Sequence, residues 1–356
     1  MKKGLLTRTE CEAMRGIAIL GIVLHNYAHW LGFAVKENEY TFTQSKADRM
    51  MELLLQPSGD LPLHLLSFFG HYGVPIFLFL SAYGLVMKYE NQPASHVPAG
   101  NNHAGIAPFM RFHFLKLFKM MIVGFVVFTL VDAITPGRHQ YQAIDIIAQL
   151  GMFNNLLPRP NDIIWPGPYW FFGLMLQLYA VYRLVLYRRH WGVTVALMIG
   201  CTLLQMTCEP TGDALNRWRY NCIGGILPFG CGLLFARYAR RPLPNAIRWG
   251  LLAMATVLLF VLSMDYWTWY IVPVVVCVLA IVAVKVMPSW LVRPLVTVGN
   301  ISAALFIIHP TVRKIFIPIS RGGDVYSGFL LYIVAALALA WCVKLLLDRI
   351  PDPKMK

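Results

Sequence analysis

Apolar residues along this chain fall in long blocks rather than in the short alternating runs of a sheet. Ten blocks approach or reach the roughly 20 residues that a membrane crossing needs. They run over 12–33, 67–88, 113–134, 168–187, 191–207, 219–237, 248–264, 266–284, 295–317 and 326–347. Backbone polar groups in lipid are satisfied within helices, so each block predicts a helix. The alternation of roughly ten residues that marks a transmembrane β-barrel is missing. The fold class is therefore all-α: a polytopic integral membrane helix bundle of about ten transmembrane helices. It forms one domain over 1–356, with no room for an appended soluble domain. The seventh and eighth blocks meet at Asp265 and predict a tight hairpin. Two polar stretches, 34–66 and 135–167, are longer than a connection needs. The second holds a short apolar piece, 144–153, that cannot span and reads as a re-entrant or interfacial helix. Segment 91–108, rich in Asn, Pro, Gly and His, reads as a flexible loop.

Charge agrees with this picture. Only 13% of residues are charged, against about a quarter in soluble domains. The net charge of +14 raises the possibility of nucleic acid, but the basic residues sit in short loops between apolar blocks. That is a topology signal, and it excludes a nucleic-acid partner. With both termini cytoplasmic, twenty Lys and Arg fall inside and ten outside, and Arg15 lies within the first span. The excess sets the orientation. Arg, Lys, Trp and Pro punctuate most span ends; Trp165, Tyr169, Trp170, Trp267 and Trp269 read as an interfacial belt. The seven cysteines are scattered without a CxxC pair, so neither a zinc site nor a disulfide framework is expected. Cys208 and Cys222 fall on one face. The first block is too long for a signal-peptide core, so no cleavable leader is expected.

Ionisable residues inside a span are functional candidates. Arg15 and His25 share the first span, and ten helical residues separate them by about 15 Å along the axis. Arg15 therefore lies near the inner surface, with Glu12 one turn before it, and His25 lies past the midplane. His29 follows one turn later on the same face. The competing reading of Arg15 is a side chain snorkelling to the surface, and that of His25 a bond to a neighbouring helix. His25 and His29 have metal-ligand spacing, but the span offers no third ligand and no metal is expected.

Five motifs in chain order resemble the membrane acyltransferase-3 family. They are Glu12 with Arg15-Gly16 and His25; Gly73 through Ser81; Lys116 at the entry to the third span; Trp170 with Gln177 and Tyr179; and Gly299-Asn300 with Ser302, His309 and Pro310. Ala82, Lys119, Met175 and Phe306 depart from that pattern, standing where the family commonly has Gly, Pro, Glu and Tyr. The resemblance implies transfer of an acyl group from cytoplasmic acyl-CoA, usually acetyl-CoA, to a hydroxyl of an envelope or secreted glycan. It also implies, with the charge bias, the bacterial inner membrane. On that reading Arg15, Lys88, Arg111, Lys116 and Lys119 hold the anionic donor. His25 acts as general base or, alternatively, as a covalent acyl carrier. Ser81, Tyr179, Asn300 and His309 line the site. Two other classes fit the composition: a transporter or flippase for an envelope lipid or acylated glycan, and a scaffold. The ordered motifs weigh against the first, as does the lack of a repeat. The buried Arg15 and His25 weigh against the second.

Overall fold

The computed structural model describes residues 5–90 and 105–355, and all the regular structure in them is helical. Residues 91–104, most of the expected flexible loop, lie outside the described residues. Helix α1 (Arg8–Ala28) begins four residues before the expected span. A capping box sets that start: the Thr7 hydroxyl accepts from Glu10 N, and the Glu10 carboxylate accepts from Thr7 N at 2.7 Å. The polar stretch after it is not a bare loop, since it holds α2 (Gln44–Leu55). Helix α3 (Leu61–Phe69), a 3-10 turn (Gly70–Tyr72) and α4 (Gly73–Tyr89) then run on as one apolar unit.

Helix α5 (Ile106–Ile134) leads to α6 (Ala143–Leu150), which matches the expected non-spanning piece and leaves Ile144, Ile146 and Ile147 exposed. The one-turn α7 (Pro160–Ile163) precedes α8 (Trp170–Val181), which ends in a π-helical turn at Tyr182–Leu186. Next come α9 (Trp191–Met206), α10 (Asp213–Tyr220), α11 (Cys222–Tyr238) and α12 (Asn245–Leu262). The turn at Asp265 is present, but a one-turn helix α13 (Tyr266–Trp269) fills it. The Asp265 carboxylate caps that helix from Trp267 N and Thr268 N at 3.0 and 3.3 Å. The eighth span therefore starts later than expected, as α14 (Val272–Val286). The expected ninth span is divided at Ile301 into α15 (Ser289–Asn300) and α16 (Ser302–Arg321). Helix α17 (Val325–Arg349) ends the bundle.

Six of these units are long and apolar enough to cross a membrane: Leu61–Tyr89, Ile106–Ile134, Gly167–Leu186, Asn245–Leu262, Ser302–Arg321 and Val325–Arg349. Helices α9, α11 and α14 are apolar but shorter. Helix α12 buries only Ala255, and its exposed Met254, Val257 and Val261 are the outward face expected toward lipid. The interior centres on α1, which packs against α3, α4, α14, α15 and α16. Tyrosine hydroxyls reach buried backbone carbonyls on neighbouring helices. Tyr332 donates to the Val23 carbonyl at 2.9 Å, and Tyr169 to the Ile307 carbonyl at 2.8 Å. Arg237 on α11 grips both oxygens of Glu90 at the end of α4, at 2.8 and 2.7 Å. The geometry is bidentate and buried, which pins the two helix ends together.

Candidate active site

Two cavities lie along α1, one toward each end. The one nearer the N-terminal end, of about 360 Å³, is lined by Arg15, Ser81, Lys116, Tyr179 and Asn300, with Phe77, Met120 and Met175 as its apolar wall. The other, of about 530 Å³, is lined by His25 and Asn26 of α1, by His29 and Trp30 just after it, and by His71, Trp165 and Arg313 from other elements. Ile22, Phe171 and Phe306 line both cavities. The rings of Phe171 and Phe306 lie 5.3 Å apart, so the septum between the two spaces is thin and apolar.

Helical spacing explains the division. Arg15 projects from the first half of α1 and pairs with Glu12 one turn earlier, Nη1 to Oε1 at 2.8 Å. Its side chain keeps 39% exposure, so the guanidinium remains available to the cavity. His25 lies nearly three turns further on and is buried. Its Nδ1 has no hydrogen-bond partner among the described residues. Its ring stands 5.0 Å from that of His29 and 5.5 Å from that of His71. Glycine permits this approach. A Cβ on Gly70 would meet the His25 Cβ at 2.7 Å and the Gly21 carbonyl at 2.6 Å, so the 3-10 turn bearing His71 touches α1 only because position 70 lacks a side chain.

Behind His71 lies an acidic pair that the sequence does not single out. Glu37 and Glu39, from the segment after α1, fold back so that their carboxylates flank the two ring nitrogens of His71. Glu39 Oε2 is 3.3 Å from Nδ1, and Glu37 makes a closer ion-pair contact with Nε2. Glu37 is held from the far side by the indole N–H of Trp269 at 3.1 Å. Burial pushes the Glu37 carboxyl above the ordinary carboxylate range, while His71 pulls it back. Arg313 also lines the second cavity, although it counts by sequence as an outer-surface charge. It belongs to the body of α16 and donates to Asn26 Oδ1 at 3.2 Å. Position 313 lies inside the expected ninth span, one turn after His309, and that spacing is the signal by which the sequence marks it.

Of the residues expected to bind donor or acceptor, Arg15, Ser81, Lys116, Tyr179 and Asn300 converge on one cavity. His25 lines the other. Lys88, Arg111, Lys119 and His309 line neither. Lys88 lies 4.6 Å over the Phe112 ring, Arg111 is exposed on α5, and Lys119 pairs with Asp352 at 2.8 Å. His309 is fully buried, with Nδ1 3.2 Å from the Leu305 carbonyl. Among the described residues no cluster of His, Cys, Asp and Glu has the make-up of a metal site. All seven cysteines, Cys208 and Cys222 included, are free thiols.

A multi-pass helical membrane protein with paired cavities on its first helix is thus defined. Residues 9–346, which contain every cavity-lining residue named above, match the family model of the acyltransferase-3 domain, described as an acyltransferase domain. The chain belongs to that family and is an acyltransferase. No curated protein and no solved structure matches it.

Proposed function

We propose that this protein transfers an acyl group, acetyl in the simplest case, from cytoplasmic acyl-CoA to a hydroxyl of an envelope or secreted glycan at the bacterial inner membrane. The observation that carries the reading is the pair of cavities on one helix, a cation in the first and a bare imidazole nitrogen in the second, with three side chains between them. The inner cavity suits the thin pantetheine arm, and Arg15 with Lys116 meets anionic oxygen at its mouth. The nucleotide is too large for that space and stays outside it, toward Lys88, Arg111 and Lys119. Ser81, Tyr179 and Asn300 supply polar contacts along the arm.

The acceptor enters the outer cavity. His25 takes the proton of its hydroxyl as the oxygen bonds to the thioester carbonyl carbon. The carbon–sulfur bond then breaks, and the imidazolium returns the proton to the departing thiolate. The thioester reaches His25 by passing Ile22, Phe171 and Phe306. Arg15, about 15 Å away along α1, positions the donor and does not touch the reacting carbonyl. His309 supports the turn of α16 that carries Phe306.

Purified protein in nanodiscs, given acetyl-CoA and crude envelope glycan, tests this by release of CoA thiol. The expected result is release that falls by about 10²–10⁴-fold in His25→Ala. Acyl label trapped on His25 would assign the covalent route instead of direct transfer. Release unaffected by His25→Ala would remove the assignment of the base. Movement of a glycolipid across the bilayer with no CoA release would replace the enzyme with a flippase.

A further inference from the structure

Buried Arg237 has a carboxylate partner in Glu90, and the half-buried Lys314 and Lys285 have Asp132 and Glu10. Buried Arg219 forms no ion pair among the described residues but donates to both the Glu39 carbonyl and Gln205 Oε1 and lies over the Trp269 ring. Arg313 has one hydrogen bond among the described residues. It is 4% exposed, and it meets the Asn26 side-chain oxygen at 3.2 Å and the face of Trp30, 4.5 Å from guanidinium carbon to ring centroid. Among the described residues no carboxylate forms an ion pair with it. A second cation, Arg321, bears on it. Arg321 donates to the Trp30 carbonyl at 2.8 and 3.0 Å and lines the same cavity, as does Lys36. A buried charge is stable when something pairs with it. The carboxylate on this cavity, Glu39, faces His71 Nδ1 at 3.3 Å, so two guanidiniums and an ammonium leave that pairing to a ligand.

We propose that the acceptor is an anionic saccharide whose carboxylate or phosphate is held by Arg313, with Arg321 and Lys36 completing the subsite. Asn26 links this subsite to the chemistry: it follows His25 in the chain, and its amide, tied to the Ile22 carbonyl at 2.9 Å, points its oxygen at Arg313. An anion on Arg313 therefore places a neighbouring hydroxyl of the same sugar beside His25. The aromatic wall favours a saccharide over a lipid headgroup. Tyr40, Tyr220, Trp165 and Trp30 all line the cavity and give it apolar ring surface against sugar C–H groups. The cavity also adjoins two others, of about 570 and 440 Å³, that share Trp30 and Arg321 with it, so further sugar units have space to either side.

The proposal rests on the acyl-transfer reading, so its test measures binding without any acyl-CoA. Protein in phosphatidylcholine nanodiscs is titrated calorimetrically with tri-galacturonate, with glucose 1-phosphate, and with neutral maltotriose. One of the anionic probes is expected to bind roughly tenfold or more tightly than maltotriose, and added salt is expected to weaken it. The tighter anionic probe identifies the group as carboxylate or phosphate. Arg313→Gln should abolish the preference. Arg321→Gln, at a more exposed position that tolerates change, should reduce it several-fold in a fully folded protein. Equal binding of charged and neutral probes overturns the proposal, as does an anion preference that survives both substitutions. Arg313-dependent binding of phosphatidylglycerol with neither sugar probe bound gives the site to a lipid headgroup and overturns it as well. Anion preference without CoA release would remove the transfer reading alone. CoA release with no preference would remove the anion subsite alone.

Discussion

Glu37 illustrates how this site is held at the scale of single residues. A buried carboxylate is costly unless its oxygens are engaged. Here one oxygen meets the Trp269 indole and the other meets His71, whose ring packs against His25. Glu37→Gln keeps the shape, removes the charge facing His71, and frees that ring to turn. The expected outcome is a fall in kcat of roughly tenfold, comparable to losing a partner that orients a catalytic group. KM for acyl-CoA should stay unchanged, because the donor cavity is elsewhere. Steady-state CoA release at varied acyl-CoA checks both numbers, and a KM shift as large as the kcat loss would indicate wider disruption. Arg15, Glu12 and His25 are legible in the sequence because their relations are local: one turn of helix for the ion pair, and about three for the axial separation. Glu37 and Glu39 are not, because their partners lie on distant segments of the chain and only the fold brings them together; Arg313 is marked by its place inside an expected span, but its partner Asn26 is not.

Helices meet around the site through glycine, and that gives a prediction at the scale of elements. Gly16 of α1 and Gly299 of α15 sit against backbone of the opposite helix: a Cβ built on Gly16 falls onto the Leu295 carbonyl, and one on Gly299 onto the Glu12 carbonyl. Small residues permit this kind of approach between membrane helices. Gly299→Ala should force α15 away from α1 at a cost on the order of 3 kcal/mol. It should also widen the inner cavity, since Asn300 moves with it. Thermal unfolding in detergent measures the loss. Gly250→Ala is the matched control: its Cβ meets open space on α12, and the change should be neutral or stabilise by up to about 1 kcal/mol. Hydrophobic blocks predict the helices well because block length is the property lipid selects. They predict ends less well, because ends depend on single caps. Thr7 moves the start of α1 forward, Asp265 nucleates α13 inside an expected hairpin, and Gly299-Asn300 precedes the break that turns one expected span into two. The amphipathic α2 is invisible to a search for long apolar runs.

Across the whole molecule, the arrangement is a divided passage. Each cavity offers groups of a different kind, and Ile22, Phe171 and Phe306 form the apolar wall that the two share. A thioester is exposed to hydrolysis wherever water reaches it, and exclusion of water suppresses that side reaction. On the proposed reading, the septum would admit a thin acyl arm while delaying solvent. Phe306 is the informative member, because the family often has a tyrosine there and its ring packs on both Phe171 and Phe172, at 5.3 and 5.7 Å. Phe306→Ala should join the two spaces. The expected outcome is CoA release without any acceptor that rises by roughly tenfold, together with use of longer acyl chains than the parent protein accepts. Phe306→Leu, which keeps apolar bulk, should stay near the parent on both counts. Acceptor-free release measured over acetyl-, butyryl- and hexanoyl-CoA separates the two effects. If Phe306→Ala gained neither, the barrier to the acyl group would lie elsewhere, and the cavities would be joined by motion of α16 rather than by passage between side chains.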